Sequence, residues 1–102
     1  MPVVIATITP LAGCIDRVQA ILTDVVPRVQ QREGCERYSL LRGRECLVII
    51  EKWASADALR EWGASPELSR LHDALRPLVE TLSDNFVVLR PVPLGDLATG
   101  LL

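Results

Sequence analysis

The residue types best suited to chemistry lie close together in the stretch EWGASPELSRLH, residues 61–72. Trp62 is one of two tryptophans, and it comes ten residues before His72, the only histidine of the chain. Histidine is the side chain whose ordinary pKa lies near neutral pH, so His72 is the candidate general base, or the candidate ligand of an iron ion. Trp62 is the candidate aromatic wall of the same site. For both residues, a place in the hydrophobic core is the alternative.

Other side chains are candidates for contact with a small apolar ligand. Tyr38 would add a phenol hydroxyl to a cavity between helices and sheet, and Leu68 lies one helical turn before His72 on the same apolar stripe. Trp53 ends an apolar strand segment, where an aromatic ring serves either a ligand site or the core. The predicted substrate-binding residues are Trp62, Tyr38, Leu68 and Trp53. The predicted catalytic residue is His72.

Glu51 follows the apolar run LVII on a predicted strand, so its carboxylate is half-buried and needs a partner. Arg37, Arg42 or a second subunit could supply a cation. The pattern favours an ion pair within the sheet or at a subunit interface.

These residues are positioned by a predicted succession of strands and helices. Residues 3–9 are β-branched almost throughout and apolar on both faces, which predicts a strand at the centre of a sheet. Apolar residues then recur at helical spacing over 14–32, and Gly34 suits the left-handed position that ends a helix. The remaining predicted elements are strands 36–42, 46–53 and 86–90, a helix over 55–62, and a helix from Ser65 whose apolar stripe reaches Leu82 past an interruption at Pro77.

The order β-α-β-β-α-β is that of the split βαβ, or ferredoxin-like, α+β fold. Its four-stranded sheet carries helices on one face, and the other face of this sheet is apolar by its sequence pattern. Since no residues are left to cover that face, we expect a homodimer formed through it. We expect residues 1–92 to form this one domain, and residues 93–102 to form an irregular tail that packs on the partner subunit.

Composition and charge exclude several function classes. The net charge is −2, with 11 basic residues scattered among 13 acidic ones, which argues against a nucleic-acid partner. No apolar run reaches the roughly 20 residues of a membrane span, and the N-terminus lacks signal-peptide features, so we expect a cytoplasmic protein without a membrane partner. Cys14, Cys35 and Cys46 have neither disulfide-framework nor metal-binding spacing. No metal-ligand, phosphate-loop or nucleophile-elbow motif is present, so we expect neither a metal nor a cofactor.

Three segments together resemble the antibiotic biosynthesis monooxygenase family, in its small quinol-monooxygenase-like branch. They are EGCERYSLL (33–41), IIEKWASADALREW (49–62) and ASPELSRL (64–71). Their order and spacing carry the resemblance, which implies a dimeric α/β-barrel. It also implies that dioxygen oxidises a small aromatic phenol or quinol without metal, flavin or haem, in an apolar pocket that assists loss of a proton.

Two positions depart from that family pattern. Many members carry histidine where this chain has Trp62, and a second histidine where it has Glu67, so His72 is the remaining imidazole. The chain is here similar to the noncanonical haem oxygenases of this fold, which carry a tryptophan on the short helix and an axial iron-binding histidine at the same spacing. Those enzymes also have an asparagine on the first strand, where this chain has Ala6 or Thr7. Haem binding or degradation is therefore one alternative, and a non-catalytic dimer that binds a small ligand is the other.

Overall fold

The predicted succession of strands and helices is present in the structure. A computed structural model describes residues 1–81, 86–100 and 102 of the chain. The strands and helices are β1 Val3–Ile8, α1 Ile15–Gln30, β2 Cys35–Arg42, β3 Leu47–Trp53, α2 Ala56–Gly63, α3 Pro66–Leu75, β4 Phe86–Leu89 and α4 Leu97–Gly100. The strands form one antiparallel sheet in the order β2-β3-β1-β4. The chain therefore has the α+β ferredoxin-like fold, as its sequence predicts.

β1 lies inside the sheet, between β3 and β4, as its apolar character on both faces predicts. Its register pairs Val4 with Glu51 and Ala6 with Ile49, so these side chains share one face of the sheet. Along β3 every second residue is buried, and Trp53 is fully buried at the end of that row. The helices cover this face, which we call the inner face.

α1 supplies much of the core because its apolar residues recur every three or four positions and so form one stripe. That stripe packs against the inner face of the sheet and is buried. Its fully or nearly fully buried residues are Val18, Leu22, Val25 and Val29. Pro27 lies inside the helix, toward its C-terminal end.

Gly34 makes the turn from α1 into β2. Its φ angle is +84°, in the left-handed region that glycine adopts without steric cost, as predicted. A Cβ at this position would also lie 2.6 Å from the Cβ of Ala58 on α2. The Gly34 carbonyl accepts a hydrogen bond from the Ala54 amide at 2.7 Å, which joins this turn to the end of β3. Glycine is thus required here both for backbone conformation and for space.

Serine caps position the two short helices that carry the candidate site residues. Ser55 accepts a hydrogen bond from the Ala58 amide at 3.1 Å, and Ser65 accepts one from the Leu68 amide at 3.2 Å. The Ser65 hydroxyl also donates to the Trp62 carbonyl at 2.7 Å, so one side chain joins the end of α2 to the start of α3. These two hydrogen bonds hold the end of α2 beside the start of α3.

The second half of the chain follows the sequence prediction at Pro77 and differs from it in the tail. α3 ends at Leu75 and a 3₁₀ turn, Arg76–Leu78, follows it, which is the interruption expected from Pro77. Leu82, the predicted end of the apolar stripe, lies outside the described residues. The tail was expected to be irregular, but it contains the single helical turn α4. The Asp96 carboxylate starts that turn by accepting a hydrogen bond from the Ala98 amide at 2.9 Å.

The face of the sheet opposite the helices, which we call the outer face, is largely apolar. It carries the alternate residues of each strand, and Leu41, Val87 and Leu89 are each 46% to 53% exposed there. None of the helices in the described part of the chain has the length and apolarity needed to cross a membrane.

Candidate functional site

A cavity of about 340 Å³ lies between the inner face of the sheet and helices α2 and α3. This volume is at the lower end of the roughly 300–1,000 Å³ that is usual for small-molecule sites. Most of the wall is apolar. Its aliphatic residues include Val4, Ala6, Ile49, Leu59, Leu71 and Leu75. The chemistry of the site therefore depends on a few polar side chains that interrupt this wall.

The structure brings four of the five predicted site residues to this cavity. Tyr38 lies on β2, Trp62 on α2, and both Leu68 and His72 on α3, and all four line the wall. Trp53 does not line it. Its ring is fully buried behind the wall, so it acts on the site through its neighbours.

The aromatic residues form one cluster around Trp62, which is only 2% exposed. The ring of Trp53 stacks on Trp62, with centroids 6.2 Å apart and planes 23° from parallel. Tyr38 meets Trp62 edge to face, with centroids 6.0 Å apart. The guanidinium carbon of Arg32 lies 5.1 Å from the centre of the Trp62 ring, a cation–π contact. Trp62 is therefore held from several sides in a fixed orientation against the cavity.

Glu51 is a polar wall residue that the sequence analysis did not place in the site. It lies on β3 opposite Tyr38, is 6% exposed, and faces the cavity. The expected ion pair with Arg37 or Arg42 is not formed among the described residues, and a cation from a second subunit stays a prediction. The partner of Glu51 is the indole of Trp53, whose Nε1 donates to Glu51 Oε1 at 2.9 Å. Arg42 instead binds Asp16 at 2.8 Å, away from Glu51.

The signal that could have found Glu51 is the alternation of β3. Residues two apart on a strand share a face, so Glu51 has to face the same way as Ile49 and Trp53. Those two neighbours are apolar and suited to the core, which identifies their side of the strand as the inner one. A carboxylate on that side lies in the helix-covered layer of the domain, where a hydrogen-bond partner from the core is to be expected before an arginine from position 37 or 42.

Burial shifts the proton affinity of each titratable wall residue. Burial lowers the pKa of His72 below its ordinary 6.5, the nearby charge of Arg76 lowers it further, and Asp73 partly opposes both. The imidazole is therefore neutral at pH 7 and able to accept a proton. Burial raises the pKa of Glu51 above 4.5, and the Trp53 hydrogen bond opposes that rise. Burial and the charge of Glu51 raise the pKa of the Tyr38 hydroxyl strongly, so it stays protonated.

The part of the chain that the structure describes contains no group of three or more His, Cys, Asp or Glu side chains arranged to hold a metal ion. Its three cysteines are free thiols, each half-buried.

The profile of a known family matches most of the chain. Residues 1–74, which run from β1 to the last turn of α3 and include most of the cavity wall, match the profile described as antibiotic biosynthesis monooxygenase. The chain belongs to this family. The resemblance carried by residues 33–71 is thereby confirmed at the level of the family.

Several solved structures have this fold over nearly their whole length. A Mycobacterium tuberculosis protein is 25% identical, with a TM-score of 0.81 and coverage of 94% of this chain and 100% of that one. A candidate antibiotic biosynthesis monooxygenase of Deinococcus radiodurans is 20% identical, with a TM-score of 0.84 and coverage of 94% and 97%. A Pseudomonas aeruginosa protein is 22% identical, with a TM-score of 0.81 and coverage of 90% and 94%. No curated protein matches the chain.

Proposed function

We propose that this protein is a monooxygenase that oxidises a small phenol or quinol with dioxygen and needs no cofactor. The observation that carries the proposal is the cavity, a small apolar space into which one neutral imidazole and one buried carboxyl project. Membership of a family named for monooxygenases supports an oxygenase as the general class. The shape and polarity of the wall support an aromatic substrate with few polar groups.

The substrate itself can supply every electron that the reaction requires. A phenol and one dioxygen yield a quinone and one water, and a quinol and one dioxygen yield a hydroxyquinone and one water. In either case the ring loses four electrons and dioxygen gains them. One oxygen atom enters the ring and the other leaves as water. No external reductant takes part, so a protein can promote the reaction with proton transfer and binding alone.

His72 is suited to be the group that moves the proton. Its neutral imidazole accepts the substrate hydroxyl proton, and the electron-rich ring then forms a carbon–oxygen bond with dioxygen. The protonated imidazole returns its proton to the resulting peroxide. Loss of the ring proton at the same carbon breaks the O–O bond and leaves a carbonyl and hydroxide, which takes up that proton as water.

Trp62, Tyr38 and Leu68 serve in this proposal as the surface that binds the ring. Trp62 presents a rigid aromatic face because three neighbours hold it, and Leu68 on α3 adds an aliphatic side chain to the same wall. An apolar wall favours the binding of both the apolar ring and dioxygen, and it keeps water away from the reactive peroxide.

A homodimer is part of the proposal. The exposed apolar outer face of the sheet is the surface through which two copies would pack. Sheet-to-sheet packing of this kind would bury the alternate residues of all four strands, among them Ile5 and Ile50. It would leave the cavity, on the inner face, inside each subunit.

Haem is the alternative that the Trp62 and His72 spacing implies. His72 could offer a nitrogen to iron, but Ala6 on β1 offers no amide, and Glu51 in the described wall is an acid that repels haem carboxylates. These residues do not fit haem, and the mechanism above has no step that involves it. A non-catalytic dimer that binds a small apolar ligand is the remaining alternative, and it predicts affinity without turnover.

The test is oxygen uptake by the purified protein with phenols and a reduced naphthoquinone, in buffer with a metal chelator. We expect one dioxygen consumed per substrate, and we expect His72→Ala to lower the rate by about 10²- to 10⁴-fold. Ser69→Ala, exposed on the same helix, is the matched control and should keep the wild-type rate. Ligand binding without any oxygen uptake would overturn the oxygenase. Full activity of His72→Ala would remove His72 from its role.

A haemin titration of wild type and His72→Ala distinguishes a haem-binding enzyme from the proposed cofactor-independent oxygenase. A saturable Soret band that is lost in the variant would favour haem binding over quinol oxidation. The proposal expects no such band.

A further inference from the structure

We propose that the Glu51 carboxylate binds the hydroxyl group of the substrate, and that it selects neutral hydroxyaromatic ligands over ethers and over aromatic acids. This inference rests on the proposed function in taking the ligand to be a hydroxylated ring. It adds a second polar contact to the cavity, on the sheet side, facing the helix that carries His72.

The position of Glu51 is fixed by the sheet. On β3 it pairs with Val4 of β1 on one side and with Tyr38 of β2 on the other. Both neighbouring strands hold it in the middle of the inner face, and all three side chains line the cavity. A carboxylate on a central strand has little freedom to move away, so a ligand in the cavity meets it in one place.

The hydrogen bonding of Glu51 is incomplete. Oε1 accepts the Trp53 indole N–H, but no donor to Oε2 and no cation is found among residues 1–81, 86–100 and 102. Among the same residues, every fully buried side-chain oxygen has a hydrogen-bond partner. Because Oε2 has no such partner, it is not fully buried, and it is accessible from the cavity that Glu51 lines. A carboxylate removed from water needs donors, and a carboxylate oxygen can accept more than one. A ligand hydroxyl in this cavity supplies the missing donor.

The groups around Glu51 determine which ligands it accepts. Tyr38 on β2 and His72 on α3 are the other titratable wall residues, and the charges of Cys35 and Glu67 also act on Tyr38. No lysine or arginine lines the described cavity wall. A ligand that carries a carboxylate, sulfonate or phosphate would therefore meet a negative group without a compensating cation. A neutral phenol or quinol meets an acceptor.

The experiment compares 1-naphthol with 1-methoxynaphthalene by isothermal titration calorimetry under nitrogen, where no oxidation can occur. The two probes share the ring, but only naphthol can donate a hydrogen bond. We expect wild type to bind naphthol at least tenfold more tightly, which corresponds to about 1.4 kcal/mol. A wild-type protein that binds naphthol no better than the ether overturns the inference, without need of any variant.

Glu51→Gln tests the residue itself. Glutamine has one acceptor oxygen, and the buried Trp53 N–H requires it, so the amide NH₂ must face the cavity. That NH₂ donates equally well to a hydroxyl or an ether oxygen, so the preference for naphthol should fall to about onefold. Glu61→Gln, an exposed glutamate on α2, is the matched control and should keep the wild-type preference. A Glu51→Gln variant that retains the preference overturns the inference.

The outcomes distinguish this inference from the proposed function. Loss of the preference in Glu51→Gln, combined with no oxygen uptake by wild type, supports the Glu51 contact and overturns the oxygenase. Oxygen uptake by wild type, combined with no preference for naphthol, supports the oxygenase and overturns the Glu51 contact.

Discussion

Replacing Trp62 with leucine tests whether the aromatic cluster holds the cavity wall in place. The leucine keeps an apolar side chain but removes the contacts with Tyr38, Trp53 and Arg32. Each ring pair contributes about 0.5–1.5 kcal/mol beyond burial, and the cation–π contact about 0.5–1 kcal/mol. Together they predict that Trp62→Leu lowers the free energy of unfolding by about 1.5–4 kcal/mol. A domain with about 5–15 kcal/mol of total stability would still fold.

The assay is urea denaturation at one fixed protein concentration, because the stability of the proposed dimer would depend on that concentration. Phe86→Leu is the matched control, since the Phe86 ring is 54% exposed and has no ring-to-ring contact with the described residues. We expect that control to change stability by about 0.5 kcal/mol or less. Arg32→Met, which removes only the cation, should cost about 0.5–1 kcal/mol. If Trp62→Leu costs no more than Phe86→Leu, the ring contacts do not hold the wall and the reasoning is refuted.

Three further predictions concern proton linkage, the α1–β2 turn and assembly. Folding raises the pKa of Glu51 above 4.5, so the contribution of Glu51 to stability is greatest below that pH and declines as the pH rises through the folded pKa. The unfolding free energy of wild type relative to Glu51→Gln should therefore fall above pH 4.5. A difference between the two proteins that stays constant with pH would contradict the shift. Gly34→Ala should lower the unfolding free energy by at least about 1 kcal/mol more than Gly13→Ala. Both glycines have a positive φ, but of the two only Gly34 lies against a neighbouring Cβ. Equal losses of stability in the two variants would contradict this prediction. Ile50→Lys on the outer face should convert a dimer to a monomer in analytical ultracentrifugation, and unchanged sedimentation would exclude that face as the interface.

The element order was predictable because its signals are local in the chain. Ser55 and Ser65 are the N-caps of the two helices that were predicted to start there, and Gly34 has the positive φ that its place after a helix indicates. α4 was missed because one proline and two glycines among the ten residues 93–102 argued against regular structure. One carboxylate, Asp96, suffices to start a single helical turn there.

The choice of Trp62 and His72 as site candidates also came from the chain itself, since rare residue types on adjacent short helices are visible without a fold. Leu68 and Tyr38 followed from helical and strand periodicity, and the structure places all four on one cavity wall. The periodicity gives the side of an element on which a residue lies. It does not give what packs against that side.

For this reason the roles of Trp53 and Glu51 were decided only by the tertiary structure. The sequence determined that both residues lie on the same face of β3, because side chains two apart on a strand point the same way. It did not determine that α2 and α3 stand away from that face at Glu51 and leave a cavity, while Trp62 covers Trp53. Burial behind Trp62 turns the Trp53 N–H toward the carboxylate, and this contact replaces the arginine partner expected from charge alone. Partners of a buried polar group depend on distances between elements far apart in the chain, and only packing of the whole domain sets those distances.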